Sequence, residues 1–427
     1  MSTYCVKAMK IMFKKSRWRR RSWRLTLMGF LRGRKRAVKK FEGCKPGDIE
    51  KAEDMCSVNS SLRFSLGGSE LDWELFSGET CVLPALEGLI IFKYCELNAA
   101  TCNFSQDRVL GRGAHSCVYR GRLGFGKLIA VKSLDMNNKE ACKIFCRELH
   151  ISSNLKNRHV VPLLGFCIDS RGLFLVYKFI SGGDLQYHLY DKKENSLSWS
   201  ARLRVAIGIA KAVHYMHHGS KTCVVHRDIK PSNVLLSSRK TAKLCDFGLA
   251  TQTLGPLVPF FCKTVSGTFG YLAPEYFEYG KVSEKTDIYA FGVVLLELLT
   301  GQKITSSARS FLNVEMPKEK LIDPQLKSCD KAKKKKKHKE VERLMRAAAV
   351  CLHPMESRRL CMSQILRILK GQEDSKLLQH AQLAMLNFDA EYIRRKEKET
   401  LMDHLRLAVV GMNLDGDSKM PDNGDDK

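Results

Sequence analysis

A series of short polar motifs in the second half of the chain places the strongest constraint on its fold. His226-Arg227-Asp228 is followed by Lys230 and by Asn233. Asp246-Phe247-Gly248 begins eighteen residues after Asp228, and Ala273-Pro274-Glu275 comes next. Charged and amide side chains in this order need a fold that brings several loops together around one site.

These side chains match the parts that transfer of a phosphoryl group to a hydroxyl requires. A carboxylate must orient the hydroxyl and accept its proton, and Asp228 is the candidate. Asn233 and Asp246 supply oxygen atoms of the kind that a hard cation such as Mg²⁺ prefers. Lys230 lies two residues from the candidate base and can neutralise charge on the transferred group.

Two glycines and a lysine upstream extend this interpretation. Gly111 and Gly113 lie between two predicted strands, where a turn without Cβ atoms can lie directly over phosphate oxygens. Alone, such a pair indicates only a turn. Lys132 closes the next apolar strand and Glu148 follows on a predicted helix, so we expect this pair to hold a cation near the phosphates. The alternatives are a strand end that reaches solvent and an ordinary helix-surface carboxylate.

The pattern of apolar residues predicts a small strand-rich part followed by a larger helical part, an α+β arrangement of two lobes. The predicted strands are Arg108–Leu110, Cys117–Gly121, Leu128–Ser133 and Leu173–Phe179. The predicted helices are Lys139–Leu155, Ser200–His217, Ser283–Thr300, Val341–Leu352 and Met362–Lys370. We expect a basic, largely disordered leader over 1–91, one domain over 92–372 with lobes 92–183 and 184–372, and a charged segment with an amphipathic helix over 373–427.

The motifs, in this order and at these spacings, resemble the protein kinase superfamily across residues 92–372. Three further stretches are similar to plant receptor-like kinases, in particular the cytoplasmic ones that lack an ectodomain. These stretches are Phe92–Thr101, His159–Cys167 and Ser266–Tyr276. The resemblance implies the two-lobed protein kinase fold, with ATP and Mg²⁺ in the cleft between the lobes and protein substrates that carry Ser or Thr acceptors. It also implies a membrane receptor kinase as a candidate upstream partner.

The resemblance also implies roles for individual residues. The adenine would lie between Leu110, Val118, Ala130 and Leu235, with Tyr177 at the back of the cleft, Phe179 and Ile180 on the hinge, and Asp184 at the ribose. Lys230 together with Thr268 matches the serine/threonine pattern rather than the tyrosine pattern.

Regulatory and structural roles follow from the same resemblance. Arg227 would pair with a phosphate on Thr264 or Ser266, unless these are ordinary polar loop residues. Glu275 and Arg359 would form a buried ion pair, and Asp287 is assigned a structural role.

Three departures from the pattern bear on activity. Ser116 stands at the third glycine position, which predicts weaker nucleotide binding. The segment between Ile304 and Asp323 is shorter than in relatives, which affects substrate docking, and Leu360 stands where relatives have Pro. The alternative function is therefore a kinase-shaped scaffold without catalysis. The complete set of Lys132, Glu148, Asp228, Asn233 and Asp246 favours an active enzyme.

The net charge of +27 is concentrated in two segments. Residues 1–40 hold fifteen Lys or Arg and no acidic residue, and Lys331–Lys339, which we predict to be a solvated loop, holds seven Lys. For residues 7–40 the alternatives are a solvated tail, contact with anionic membrane lipid, and nuclear import or nucleic-acid contact. Because the excess charge lies outside the predicted folded core, the sequence argues against nucleic acid as a partner.

The cysteines and the hydropathy pattern indicate a compartment. The 16 cysteines are scattered without paired spacing, which favours reduced thiols inside a cell. We also expect no transmembrane segment, because the sequence has no apolar stretch of about 18 residues. The predicted location is the cytoplasm, with the inner face of the plasma membrane or the nucleus as alternatives.

Overall fold

A computed structural model of the chain describes residues 65–66, 69–70, 88–191, 197–220, 222–256, 258–304, 322–324 and 331–386. The predictions for residues 7–40 and for most of the segment between Ile304 and Asp323 lie outside these residues. Ser65–Leu66 (β1) pairs antiparallel with Ser69–Glu70 (β2) in a unit of its own that ends at Val82. The remaining elements belong to the second unit, which begins at Leu83.

The first lobe of this unit is built on a six-stranded sheet. Its strands are Ile90–Ile91 (β3), Val109–Arg112 (β4), Ser116–Arg122 (β5), Leu128–Leu134 (β6), Leu163–Asp169 (β7) and Gly172–Lys178 (β8). Their spatial order is β3-β7-β8-β6-β5-β4, and all neighbours are antiparallel except β3 and β7. Two helices, Tyr94–Ala100 (α1) and Lys139–Asn154 (α2), belong to this lobe.

Two strands of this sheet were not predicted, and one glycine explains their contact. A Cβ at Gly165 of β7 would lie 1.9 Å from the carbonyl oxygen of Ile90, so only glycine allows β3 to pair there. The sheet therefore begins at Ile90, two residues before the predicted domain boundary at 92.

The helix α2 places one carboxylate under the sheet. Asn138 caps its N-terminus by accepting hydrogen bonds from the amides of Glu140 and Ala141. Its buried face carries Ala141, Phe145 and Leu149, and Glu148 lies on that same face with 1% exposure.

The second lobe is mainly helical. Its helices are Leu185–Tyr190 (α3), Trp199–His214 (α4), Pro274–Tyr279 (α5), Glu284–Thr300 (α6), Lys331–Cys351 (α7), Met362–Lys370 (α8) and Ser375–Leu386 (α9). Short strands form three antiparallel pairs, which are Val234–Leu236 (β10) with Ala242–Leu244 (β11), Cys223–Val225 (β9) with Thr251–Thr253 (β12), and Phe260–Phe261 (β13) with Lys281–Val282 (β14). The fold class is the predicted one, a strand-rich lobe followed by a helical lobe.

Helix α6 is the centre of the second lobe. Its side chains are almost all buried, because apart from Glu297 it is apolar on every side over Ile288–Leu299. Ser283 caps its start, and it ends at Gly301, whose φ of 66° suits glycine. Helix α4 ends at His214 and continues as a π-helical turn over Tyr215–Gly219, where we predicted α-helix up to His217.

The lysine run was predicted wrongly. Lys331–Lys339 forms the first turns of α7 and is not a loop. Lysine is a good helix former, and the helix extends from the buried turns around Val341, Leu344 and Ala348. Helix α9, beyond the predicted boundary at 372, packs through Leu377 and Ala381 on the same core.

In the described residues, no helix is both long enough and apolar enough to cross a membrane.

Candidate active site

The loop that carries Asp228 is held by a carboxylate from α6. Asp287 is fully buried, and its two oxygens accept hydrogen bonds from the backbone amides of His226 (2.8 Å) and Arg227 (2.9 Å). The same carboxylate lies 3.0 Å from Nε2 of His217. Arg227 has a φ of 69°, a left-handed conformation that a non-glycine residue adopts only when its surroundings impose it. Asp287 therefore holds the catalytic loop in a strained conformation.

Asp228 lies within a network of donors from two segments. Its Oδ1 accepts a hydrogen bond from Thr268 Oγ1 (2.7 Å), and its Oδ2 accepts from Asn233 Nδ2 (2.9 Å). Lys230 Nζ lies 2.8 Å from Oδ2 of Asp228 and 2.6 Å from Thr268 Oγ1. The structure therefore brings together Asp228, Lys230, Asn233 and Thr268. Because these donors neutralise the carboxylate and fix its plane, it is preorganised to receive a hydroxyl group.

A second network surrounds Lys132 on β6. Its Nζ donates to Glu148 Oε2 (2.6 Å) and to Asp246 Oδ1 (2.7 Å). Glu148 also accepts a hydrogen bond from the hydroxyl of Tyr177 (2.7 Å). Burial lowers the pKa of Lys132, but the charges of Glu148 and Asp246 outweigh burial and raise this pKa above its ordinary value. Lys132 is therefore a permanent cation that joins the sheet, α2 and the Asp246 loop.

Asp246 is held in position by residues on both sides. It has a φ of 65°, and His226 Nε2 lies 3.0 Å from the carbonyl oxygen of the preceding residue, Cys245. The following residue, Phe247, is fully buried, with its ring centroid 4.9 Å from that of His226. Burial raises the pKa of Asp246, but the charge of Lys132 outweighs it and the pKa lies below its usual value. Asp246 is therefore ionised at neutral pH.

Asn233 and Asp246 are the two metal-binding candidates of this site. Asn233 uses its amide nitrogen to donate to Asp228, which leaves its carbonyl oxygen as the metal donor. The described residues contain no group of three or more His, Cys, Asp or Glu side chains suited to a metal ion. A donor set of two oxygens fits a hard cation that completes its coordination with phosphate oxygens and water.

The chain matches a known family and several characterised plant proteins. The family model for the protein kinase domain matches residues 104–368, which is more than half of the chain. The chain belongs to the protein kinase family. It is similar to proline-rich receptor-like protein kinases PERK2 (36% identical over 333 residues) and PERK3 (36% over 335 residues) of Arabidopsis thaliana. It is also similar to Protein kinase STUNTED of that plant (38% over 340 residues).

These matches cover 72%, 74% and 77% of this kinase, and 45%, 65% and 53% of the relatives. The chain therefore spans about half the length of the curated relatives that it matches. The predicted resemblance to plant receptor-like kinases is confirmed.

The glycine loop of the kinase joins β4 to β5. A Cβ at Gly111 would meet no protein atom within 4 Å, and one at Gly113 would meet only Ser116 at 3.2 Å. Packing within the protein therefore does not require glycine at position 111, and the space beside it is open to a ligand. Ser116, which replaces the third glycine, is the first residue of β5 and its carbonyl oxygen accepts from the Gly113 amide (2.8 Å).

The residues predicted around the adenine come from both lobes. Ala130 of β6 and Leu235 of β10 pack against the same cluster of buried residues, although they belong to different lobes. Leu110 and Val118 lie on β4 and β5, and Phe179 and Ile180 follow β8 as the connection between lobes. That these six side chains line one adenine cleft stays a prediction.

Asp184 has a function that the sequence did not indicate. It is the N-cap of α3, where its side chain accepts from the amide of Tyr187 (2.8 Å), and it pairs through its backbone with Leu235. It therefore fixes the start of α3 beside β10, and the ribose contact that we predicted for it stays a prediction.

The segment after Asp246 contacts the catalytic loop through Arg227. Nη1 of Arg227 donates to the carbonyl oxygen of Leu249 (3.2 Å), and Nη2 donates to the hydroxyl of Tyr276. That hydroxyl also bonds to the backbone of Ser266, accepting from its amide (2.9 Å) and donating to its carbonyl (2.8 Å). Thr264, two residues earlier, is exposed. The hydroxyl of Tyr276 therefore bridges the guanidinium of Arg227 and the backbone of Ser266.

Glu275 and Arg359 form the predicted buried ion pair. Both carboxylate oxygens accept from the guanidinium at 2.7 Å. Arg359 is 2% exposed and also donates to the carbonyl oxygens of His353 (2.7 Å), Lys285 (3.0 Å) and Pro354 (3.1 Å). This pair ties Glu275, at the end of the segment 246–275 that we call the activation segment, to the loop that follows α7.

Two residues near the site were not singled out by the sequence. Glu297 of α6 is fully buried, and its Oε1 accepts from the hydroxyls of Tyr190 (2.7 Å) and Tyr271 (2.8 Å). Its position inside an apolar helix is the one signal that could have identified it, since such a carboxylate needs donors. Arg147 of α2 donates to the carbonyl oxygen of Gly248 (2.8 Å), and no sequence pattern indicated this contact.

Proposed function

We propose that this kinase transfers the γ-phosphoryl group of ATP to Ser and Thr hydroxyls of proteins, in receptor-coupled signalling inside the cell. The observation that carries the proposal is the contact of Asp228 with Lys230, Asn233 and Thr268 while Lys132 bonds both Glu148 and Asp246. These contacts support the proposal because the acceptor side and the phosphate side of such a site would then be present in one conformation.

Each residue has a defined task in this reaction. Asp228 orients the acceptor hydroxyl and takes its proton as the bond to phosphorus forms. Lys230, which contacts Asp228 and Thr268, places a positive charge where the transferred group develops negative charge. Lys132 neutralises phosphate oxygens. The ion pair with Glu148 holds the ammonium group of Lys132 in position for this task. The kinase therefore acts mainly by positioning and by electrostatic stabilisation.

Mg²⁺ is the metal that we infer for this site. When bound, it would neutralise and orient the phosphate groups of the nucleotide. Asn233 and Asp246 would hold it through oxygen atoms, and the ionised state of Asp246 suits a divalent cation. The open space beside Gly111 supports a nucleotide whose phosphates lie under the glycine loop.

The proposal predicts phosphate transfer by the purified chain. Incubation with γ-labelled ATP and Mg²⁺ should label the kinase itself and an added protein substrate, and acid hydrolysis should recover the label as phosphoserine and phosphothreonine. EDTA should abolish the labelling, because the site has only two protein donors for the metal. Binding of ATP without transfer to any protein would support the scaffold alternative instead.

We also propose that a phosphate on the activation segment stabilises the active conformation. Among the described residues, the guanidinium of Arg227 donates to neutral groups, which are the Leu249 carbonyl and the Tyr276 hydroxyl. Arg147 lies close to Arg227. Burial, and next the positive charge of Arg227, lower the pKa of Arg147. Two neighbouring guanidinium groups favour an anion, and a phosphate on Thr264 or Ser266 would supply about two negative charges.

Replacing both Thr264 and Ser266 with Ala should lower activity about tenfold or more, because one or two charge-assisted hydrogen bonds are lost. Initial rates before and after phosphatase treatment measure this effect. The wild type should lose activity on dephosphorylation, while the double variant should not respond. Replacing the exposed Ser170, on the turn between β7 and β8, with Ala is the control. Full activity of the double variant would contradict the proposal.

A further inference from the structure

Four segments of the kinase, drawn from both lobes, meet at the loop 156–162. The loop 156–162 follows α2, and the amide of Val161 donates to the carbonyl oxygen of Leu244 in β11 (2.9 Å). The amide of Lys178, at the end of β8, donates to the carbonyl oxygen of Pro162 in the same loop (3.0 Å). The hydroxyl of Tyr215, at the end of α4, accepts from the amide of Lys156 (3.0 Å). The loop therefore joins the edges of both lobes and α4.

Basic side chains from these segments form one surface, which we call the rear basic patch and define by Arg158, Lys178, Lys211 and Lys243. Three of the four side chains are exposed, and Lys243 is half-buried with its Nζ donating to the carbonyl oxygen of Arg158. Burial, Lys178 and Arg158 together lower the pKa of Lys243. Burial lowers the pKa of His159, and the charges of Lys211, Arg158 and Lys243 lower it further. The four cations are thus near neighbours.

The segments that form the patch carry no acidic residue of their own. The sequence contains no Asp or Glu in residues 149–163, 172–183, 199–220 or 234–245. Within the described part of the chain, no carboxylate forms an ion pair with any member of the patch. Since like charges that approach one another cost stability, the arrangement is explained by an anionic partner better than by the fold.

We propose that the rear basic patch binds an acidic peptide segment of a partner protein. A membrane surface fits less well, because the four segments expose no large apolar side chain that could enter the lipid interface. A single-stranded nucleic acid fits less well for a related reason, since they expose no Phe, Tyr or Trp ring on which bases could stack. Carboxylates on an extended peptide need neither feature.

Lysine acetylation measured residue by residue by mass spectrometry tests this proposal on the full chain. The probe is the peptide (Gly-Glu)₄, the matched neutral peptide is (Gly-Gln)₄, and ATP and metal are omitted. At a peptide concentration of twice Kd, acetylation of Lys178, Lys211 and Lys243 should slow about threefold, as mass action requires. Lys127 and Lys139, which are exposed elsewhere in the first lobe, should react at an unchanged rate. About 0.5 M NaCl should remove the protection.

Charge-reversal variants separate the patch from the general positive charge of the chain. The pair Lys178→Glu and Lys211→Glu should abolish protection of Lys243, while Lys127→Glu with Lys139→Glu should preserve it. Equal protection by both peptides, or equal protection of Lys127 and Lys139, would overturn the proposal. So would protection of the patch by phosphatidylserine vesicles or an oligonucleotide but not by (Gly-Glu)₄. Because the readout needs no catalysis, it is independent of the proposed phosphoryl transfer.

Discussion

The Asp228→Asn variant of this kinase is expected to transfer phosphate on the order of 10³-fold more slowly than the wild type. An amide of the same shape cannot accept the proton of the attacking hydroxyl. It also presents an NH₂ group to Lys230 or Asn233, both of which donate to the carboxylate in the wild type. The loss corresponds to about 4 kcal/mol of transition-state stabilisation. Initial rates of autophosphorylation with labelled ATP measure it.

Two controls isolate the chemical step. The Asp169→Asn variant removes a carboxylate that pairs with Arg171 on the turn between β7 and β8, far along the chain from the catalytic loop, and should retain the wild-type rate. Nucleotide affinity of Asp228→Asn should change little, because Asp228 contacts the acceptor side of the site. Equal labelling of the wild type and Asp228→Asn would show that another group is the base.

The parts of the site that the sequence could predict lie close together along the chain. Asp228, Lys230 and Asn233 lie within six consecutive positions. Their separation along the chain therefore already limits the distances between them in the fold. Lys132 and Glu148 are sixteen residues apart on adjacent elements, and the structure joins them at 2.6 Å. The strands and helices around these residues could be predicted from the local sequence, because the periodicity of their apolar residues is strong.

Other contacts depend on tertiary packing that no local pattern encodes. Arg147 meets Gly248 across 101 residues, and Glu297 meets Tyr190 across 107. Strand β3 was missed because two residues carry no periodicity, and its pairing depends on the space that Gly165 leaves. The lysine run was assigned to a loop on its charge, whereas its helix continues from the buried turns that follow it.

The Arg359→Leu variant is expected to lower the free energy of unfolding by about 3–5 kcal/mol, because it leaves the carboxylate of Glu275 buried without its partner. The carbonyl oxygens of His353, Lys285 and Pro354 would lose their donor as well. A loss of this size should lower the melting temperature by about 6 °C or more. Thermal and urea unfolding measure both quantities.

A double-mutant cycle with Glu275→Leu tests whether the pair itself is responsible. Replacing both residues with Leu should cost less than the two single changes added together, because neither variant side chain then leaves a buried charge unpaired. The exposed pair Arg367–Asp374 is the matched control, and Arg367→Leu should change stability by 1 kcal/mol at most. If Arg359→Leu changed stability no more than Arg367→Leu, the ion pair would contribute nothing to the fold. If it unfolded the kinase while Glu275→Leu did not, the contacts of Arg359 with the carbonyl oxygens of His353, Lys285 and Pro354, rather than the ion pair, would account for the loss of stability.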